Sequence, residues 1–505
     1  MKYLLFLVFI VYVIFLSFSS IAEFPSVKKS DAFLPYLSER PLTEDGFYSL
    51  KIAWSIGTGK GLTYNFNKPT TGFQPLYVFL LSMFAYITSS LGGDKITFLR
   101  IVILLSGLAA ILLAYLLYRW INIIEKNANR KMIFLVTSLL VLFNFKVFLN
   151  LFNGLETGLY LIFLLLAMIK FQSLIENKKN LKQIILLGFI LGLTVLVRND
   201  FILIAFIIIF LFSFSKAIRF KDSIIILTVL FLTVLPWFAF VYSVQGSFIP
   251  TSASVQTGLT YSEISYRIDQ FFYSLFSSYI PFLHAGQTQS VLIYALAIVL
   301  GFFLYKYHLP NIKKYFALQV IKIWFTAIIV ISVVYLFFAS QPYFFFRYLS
   351  VHLVIAIPFL ALLITKQLSN RLLKFKSILV FTVIAIFVLN AGYYFHYPKK
   401  VSSLALRPDF LNKNNLSEEK IGMAQSGISG YFFDNIINLD GKVNGAALSA
   451  IKKNKLYNYI MEEKITVLIE WKEWFDLLPS EKLTEDWYPA SYQIKDNKTL
   501  VLIRK

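Results

Sequence analysis

The chain has 505 residues, 58% of them hydrophobic and 15% charged, with 52 Phe and 30 Tyr, which excludes a soluble globular protein and points to membrane-spanning helices. Its net charge of +21 lies in short basic clusters between apolar runs, the pattern of membrane topology rather than of nucleic-acid binding. There is no cysteine, so disulfides, zinc–thiolate sites and a cysteine nucleophile are excluded.

Twelve apolar runs lie near 3–20, 75–91, 97–118, 132–150, 155–170, 183–197, 200–214, 222–243, 289–305, 319–338, 349–365 and 377–395. Basic clusters at Arg119–Lys131, Lys170–Lys182, Lys216–Lys221, Lys306–Lys314 and Lys366–Lys376 fall in every second loop, as the positive-inside rule requires. All are cytoplasmic only if one early run does not cross. The run 75–91 is short and follows Gly72 and Pro75, so it reads as a juxtamembrane or re-entrant helix. The expectation is an α-helical polytopic membrane protein of about eleven crossings. Residues 1–396 form the membrane domain and 397–505 an outer domain. The first run reads as an uncleaved anchor, although Ser20 and Ala22 would suit a cleavage site.

This parity places the loop 23–96, the turns 153–156 and 198–200, the loop 244–288 and the segment around Arg347 on one outer face. In the first loop, TEDGFYSL sets Glu44 and Asp45 at the start of a helix with Tyr48, Ile52 and Ile56 on one side. An aromatic helix of this kind is expected to lie on the membrane surface. Carboxylates beside a bilayer are costly to desolvate and so are functional candidates, although helix-dipole complementation would also place them there. Asn153 and Glu156 have the spacing of a capping box and are equally a substrate contact. Asp200 follows Arg198 in a very short turn, where it could simply cap the next helix. Arg100, Arg198 and Arg347 stand on the outer side against the positive-inside bias. A bidentate clamp on a phosphate is one reason, and snorkelling to lipid headgroups is the other.

The stretch GSFIPTSASVQTG is small, polar and Pro-bounded, and reads either as a lid or as a plain connection. Beyond 397 the composition turns mixed and charged. Glycines at 427, 430 and 441 mark turns and ITVLIEW reads as a strand, so a small α/β domain is expected. The four histidines (His284, His308, His352 and His396) show no metal-ligand spacing.

These residues together resemble the GT-C superfamily of membrane glycosyltransferases, which take a sugar from a polyprenyl phosphate. They resemble most the bacterial branch related to protein O-mannosyltransferases and to arabinosyl and aminoarabinosyl transferases. The resemblance is carried by Glu44-Asp45-Gly46-Phe47-Tyr48, Thr70-Thr71-Gly72-Phe73-Gln74-Pro75-Leu76 and Gly154-Leu155-Glu156-Thr157. Arg198 with Asp200, Pro250 with Ser252, Arg347-Tyr348, Ser426-Gly427, Gly430-Tyr431-Phe432 and Asn438-Leu439-Asp440-Gly441 with Asn444 continue it in order. Thr71, Asn199 and Gln256 depart from the pattern; relatives often carry Lys where Gln256 stands.

The resemblance implies a GT-C-type helical bundle in the bacterial cytoplasmic membrane, with its active site outside. It also implies inversion at the anomeric carbon, with a first-loop acid as base: Asp45 is preferred and Glu44 is the alternative. Arg347, Arg100, Arg198 and Tyr348 are then the donor-phosphate candidates. Glu156, Asp200, Gln74 and Gln256 are the substrate-contact candidates. The implied partners are a polyprenyl-phosphate sugar, membrane lipids and an acceptor glycan, lipid or protein, with no nucleic acid. Some relatives use a divalent metal near the acids and others do not. A transporter or flippase is the competing class, against which stand the lack of an internal repeat and the clustering of polar groups on one face. A membrane receptor or scaffold would leave Asp45 and the outer arginines unexplained. An oligosaccharide ligase is not separated from single-sugar transfer by these residues.

Overall fold

The structure, a computed structural model, describes residues 2–18, 24–25, 36–65, 68–176, 180–215, 218–256, 264–280, 290–371, 376–396, 401–494, 496 and 498–505. Ser20, Ala22 and His284 lie outside the described residues, as does the expected domain boundary at 397. The membrane part begins with α1 (Lys2–Ser17), α2 (Glu44–Gly57), α3 (Pro75–Ser90), α4 (Lys95–Ile124), α5 (Arg130–Leu142) and α6 (Phe145–Leu151). It continues with α7 (Thr157–Glu176), α8 (Leu181–Val197), α9 (Phe201–Phe214), α10 (Phe220–Gln245), α11 (Thr251–Gln256) and α12 (Ile264–Tyr279). After these come α13 (Ser290–Ala317), α14 (Gln319–Phe338), α15 (Phe345–Tyr348), α16 (Leu353–Arg371) and α17 (Lys376–His396).

Among the described residues, five segments are long and apolar enough to span a bilayer: α4, α7, α10, α14 and Pro342–Gln367. Two bent pairs raise this to as many as seven. The first breaks by 60° between α5 and α6, where Asn144 accepts from the backbone N–H of Lys146 at 3.0 Å and starts a new helix. The second bends by 90° within α13, where Pro310 lacks the N–H and crowds the preceding turn. These seven, together with the four shorter apolar helices other than α3, would make eleven crossings if all four span the bilayer.

The helix α2 departs from expectation. Every residue from Gly46 to Ser55 is buried, so α2 is covered by protein and presents no apolar face to lipid. Apolar periodicity shows that a face needs cover but not whether lipid or protein supplies it. Here α3 covers one side and the C-terminal part of the chain covers the other. Instead α3 carries the exposed apolar face, with Met83 and Tyr86 more than half exposed.

The C-terminal part carries α18 (Ser403–Lys413), α19 (Gly427–Phe432), α20 (Gly445–Lys452), α21 (Leu456–Glu462) and α22 (Ser480–Asp486). Among its described residues the strands are β1 (Ile421–Met423), β2 (Ile436–Asn438), β3 (Val467–Trp471), β4 (Trp487–Pro489) and β5 (Thr499–Arg504), ordered β2-β1-β3-β5-β4. The first three run parallel, and β5 is antiparallel to β3 and β4. Alternate residues take opposite faces. Ile437, Leu468 and Leu502 pack with Ile460 of α21, whereas Ile436, Val467, Ile469 and Val501 join the core that runs on into the membrane part. Both faces of the sheet are therefore covered, and the C-terminal part packs directly on the membrane part.

Candidate active site

The docking is built from close polar contacts. Tyr48 on α2 donates to the carbonyl of Ala424 at 3.2 Å and accepts from the N–H of Ser426 at 3.1 Å. Tyr64 donates to the carbonyl of Ser426 at 2.7 Å, and the N–H of Asn438 reaches Asn65 at 3.2 Å. Asp434 is ion-paired by Lys51, Lys60 and Lys95, which hold its carboxyl well below the usual range despite partial burial. Two glycines permit the approach. A Cβ on Gly427 would lie 2.1 Å from the carbonyl oxygen of Glu44, and one on Gly72 would lie 1.9 Å from that of Lys442.

Glu44 and Asp45 are neighbours in the chain but point to different partners, because successive helical residues turn by about 100°. The carboxylate of Glu44 accepts from the backbone N–H groups of Gly427 and Ile428, the latter at 2.9 Å. Burial pushes its carboxyl up to about 7, against these two hydrogen bonds and the charge of Arg407. Arg407 is itself fully buried against Glu470 at 2.8 Å and fixes the turn at Gln425 through that residue's carbonyl. Glu44 thus ties α2 to the C-terminal part, with each of its oxygens accepting one backbone hydrogen bond.

Asp45 keeps an open side, with 22% of its side chain exposed. Lys442 Nζ lies 3.3 Å from one of its oxygens and Arg347 Nη1 4.0 Å from the other. Burial would raise its carboxyl, but these two cations outweigh it and hold Asp45 below the ordinary carboxylate value. Lys442 also reaches Asp440 at 3.5 Å. Burial raises the Asp440 carboxyl against that cation. Sequence reasoning missed Lys442. The only signal was the turn chemistry of NLDGKVN, which placed a loop there but assigned no role to its lysine.

Arg347 is held between the rings of Phe344 and Tyr348, each 5.3 Å from the guanidinium carbon. Its buried Nε has no acceptor among the described residues. Tyr348 stacks on Tyr335 with centroids 4.7 Å apart and donates to the side-chain oxygen of Gln256 at 3.2 Å. Gln256 ends α11, and its carbonyl accepts from Ser340 at 2.9 Å, so the stretch read as a lid is fastened to the Arg347 segment as far as 256. Residues 257 and 258 of that stretch lie outside the described residues.

Arg198 is arranged differently from Arg347. It is 2% exposed, its Nε is shared by both oxygens of Asp200 at 3.1 and 3.2 Å, and Tyr335 donates to Asp200 at 2.5 Å. Asp200 therefore neutralises Arg198 and makes no cap bond to α9. The guanidinium of Arg198 lies 4.9 Å from the Tyr348 ring and supports it from behind. Glu156 is 4% exposed and acts electrostatically on both arginines, yet no protein group donates to its carboxylate among the described residues. The expected capping box is not formed, because α7 begins only at Thr157 and Asn153 turns back to accept from Leu155 at 3.0 Å. Gln74 uses its side-chain oxygen structurally, accepting from the N–H of Asn199 at 3.1 Å. Arg100 stands over the ring of Phe18 at 5.3 Å and near Asp94.

Among the described residues no three His, Cys, Asp or Glu converge as metal ligands. A groove of about 670 Å³ opens beside the centre between the first loop, α11 and α20, with Lys68, Lys452 and Lys453 on its walls.

The chain is thus a polytopic helical bundle with helices in its first long loop and an α/β part docked on it. The solved structure of ArnT from Cupriavidus metallidurans bound to undecaprenyl phosphate is similar over 99% of this chain and 97% of that one, with a TM-score of 0.52 and 9% identity. The apo form of the same protein gives a TM-score of 0.49 at 10% identity, over 99% of this chain and 97% of that one. The Archaeoglobus fulgidus oligosaccharyltransferase in complex with Zn and sulfate gives 0.47 at 15% identity, over 99% of this chain and 73% of that one. No family model and no curated protein matches the sequence.

Proposed function

We propose that the chain is an inverting glycosyltransferase that moves a sugar from a polyprenyl phosphate to an acceptor hydroxyl at the outer face of the cytoplasmic membrane. The observation that carries this reading is the pairing at Asp45. A partly open carboxylate faces a buried arginine whose Nε has no acceptor, and an anion placed there would satisfy it. In this reading Asp45 takes the proton of the acceptor hydroxyl as that oxygen attacks the anomeric carbon. The bond from that carbon to the phosphate oxygen breaks with its electron pair, and the polyprenyl phosphate leaves. Arg347 stabilises the charge that builds on the phosphate. Tyr348, braced by Arg198 and Gln256, keeps the guanidinium in its plane. Glu156 is the candidate contact to sugar hydroxyls.

The fold likeness to a protein solved with undecaprenyl phosphate supports a lipid-phosphate donor. A flippase is the weaker reading, because the unusual polar groups gather at one centre rather than along a path. The experiment is direct: purified protein in lipid nanodiscs, a polyprenyl-phosphate sugar and envelope extract, with mass spectrometry of the products. Sugar transfer abolished by Asp45→Asn is expected, and transfer that Asp45→Asn leaves intact overturns the reading.

A further inference from the structure

We propose that Lys442 is the movable cation of this centre: it holds Asp45 while the site is empty and passes to the donor phosphate when that binds, releasing Asp45 to act as base. The inference rests on the polyprenyl-phosphate reading and names a residue and a docked domain as parts of the reaction.

The backbone of Lys442 is fixed while its side chain is not. Its N–H donates to Asp440 at 2.8 Å and its carbonyl accepts from Thr251 at 2.9 Å. Gly72 packs against that same carbonyl, and the N–H of Gly441 donates to Asn438 at 3.1 Å. The ammonium, by contrast, is shared between two carboxylates at 3.3 and 3.5 Å and stands 5.7 Å from the Tyr48 ring. Neither contact is tight, and a lysine carries three rotatable donors on a flexible stem. Arg347 differs, since its planar fork is clamped between two rings and cannot follow a ligand.

The charges that face Asp45 are Lys442 and Asp440 from the β2–α20 loop, Arg347 and the Tyr343 hydroxyl from the segment before α16, and Glu44 on α2. While both cations hold Asp45 it is a poor base, because proton uptake would break the pairing. A donor phosphodiester bridging Arg347 and Lys442 competes with Asp45 for those cations, and its hold on them grows as the leaving polyprenyl phosphate gains its second charge. As Lys442 swings to it, Asp45 becomes more basic just when the acceptor proton must be removed. The excess charge on the leaving polyprenyl phosphate then rests on Lys442 and Arg347, and the proton rests on Asp45. Because Lys442 arrives on the C-terminal domain, docking of that domain completes the centre.

The test is binding of undecaprenyl phosphate to the full chain in nanodiscs, followed by titration calorimetry in buffers of different ionisation enthalpy. At about pH 5, with the proton change of the lipid phosphate itself measured on Asp45→Asn and subtracted, wild type is expected to take up protons on binding, because the Asp45 carboxyl rises as its cation leaves. Lys442→Met should bind about tenfold or more weakly, the loss of one charge-assisted contact, and should lose the proton uptake. Lys442→Arg should keep both. Asp440→Asn removes the carboxylate that competes for Lys442, so it should bind several-fold more tightly, which a purely structural role would not produce. Lys442→Met with wild-type affinity and wild-type proton uptake overturns the proposal while leaving the donor reading in place. Should Lys442→Met not fold, unchanged or weaker binding by Asp440→Asn overturns it in the same way. Wild type that does not bind undecaprenyl phosphate removes the donor reading, and this inference with it.

Discussion

The two walls of the centre are built on opposite plans. The membrane-side wall is rigid. Arg347 is clamped by Phe344 and Tyr348, Tyr348 stacks on Tyr335, and Arg198 is locked to Asp200 behind them. The wall from the C-terminal domain is a loop with a fixed backbone and a loosely shared ammonium at Lys442. The contrast separates two tasks: the bundle sets geometry, and the docked domain supplies a charge that can change partners.

The largest effect is expected where the walls meet. Gly72→Val drives a side chain into the carbonyl of Lys442, and overpacking against backbone costs on the order of 3 kcal/mol or more. Undocking is then expected, read as faster protease cleavage of the C-terminal domain and lost transfer. Unchanged protection would show that the walls are not joined there.

Next comes the rigid wall. Arg347→Ala should lower turnover roughly 10- to 100-fold, from the loss of one charge-assisted contact of about 1.5–3 kcal/mol, with less change in apparent donor affinity. Arg347→Lys should rescue only in part, because lysine cannot make the planar bidentate contact. Full activity of Arg347→Lys would mean snorkelling and would remove the residue from the site.

A smaller effect is expected at Glu44. With its carboxyl raised to about 7 from 4.5, the folded chain holds a proton across that window that the unfolded chain has released. Stability should therefore fall as pH rises from about 4.5 to 7 and level off above. Glu44→Gln should flatten this dependence and cost about 1–2 kcal/mol, since an amide cannot accept from both backbone N–H groups. A melting temperature with the same pH slope in Glu44→Gln would contradict the docking role. The smallest effect is expected at Arg100, where Arg100→Lys should leave turnover unchanged within about twofold, the behaviour of a headgroup contact outside the centre.

What the sequence disclosed follows from where each signal lives. Asp45 and Arg347, which the fold brings to 4.0 Å, stood out in the sequence because an acid just after the first apolar run and an arginine against the expected charge bias are anomalies on a strong local background. The strand at Val467–Trp471 was legible by composition. Lys442 was not, because one lysine in a mixed, charged stretch is ordinary, and only tertiary docking brings it across 397 residues to Asp45. Glu44 could not be told from Asp45 until the helix α2 was oriented. The burial of α2 was misread for the same reason, since an apolar stripe does not say whether lipid or protein will cover it.

The most direct measurement sets Asp45→Asn beside Glu44→Gln in one transfer assay with a polyprenyl-phosphate sugar, each purified in nanodiscs, with its melting temperature recorded alongside turnover. Loss of a general base predicts a fall in turnover of roughly 10²–10⁴-fold for Asp45→Asn with its stability preserved. Glu44→Gln should keep most of its turnover and lose stability instead. Near-wild-type turnover in Asp45→Asn, or a greater loss in Glu44→Gln than in Asp45→Asn, would contradict the assignment of the reaction centre to Asp45.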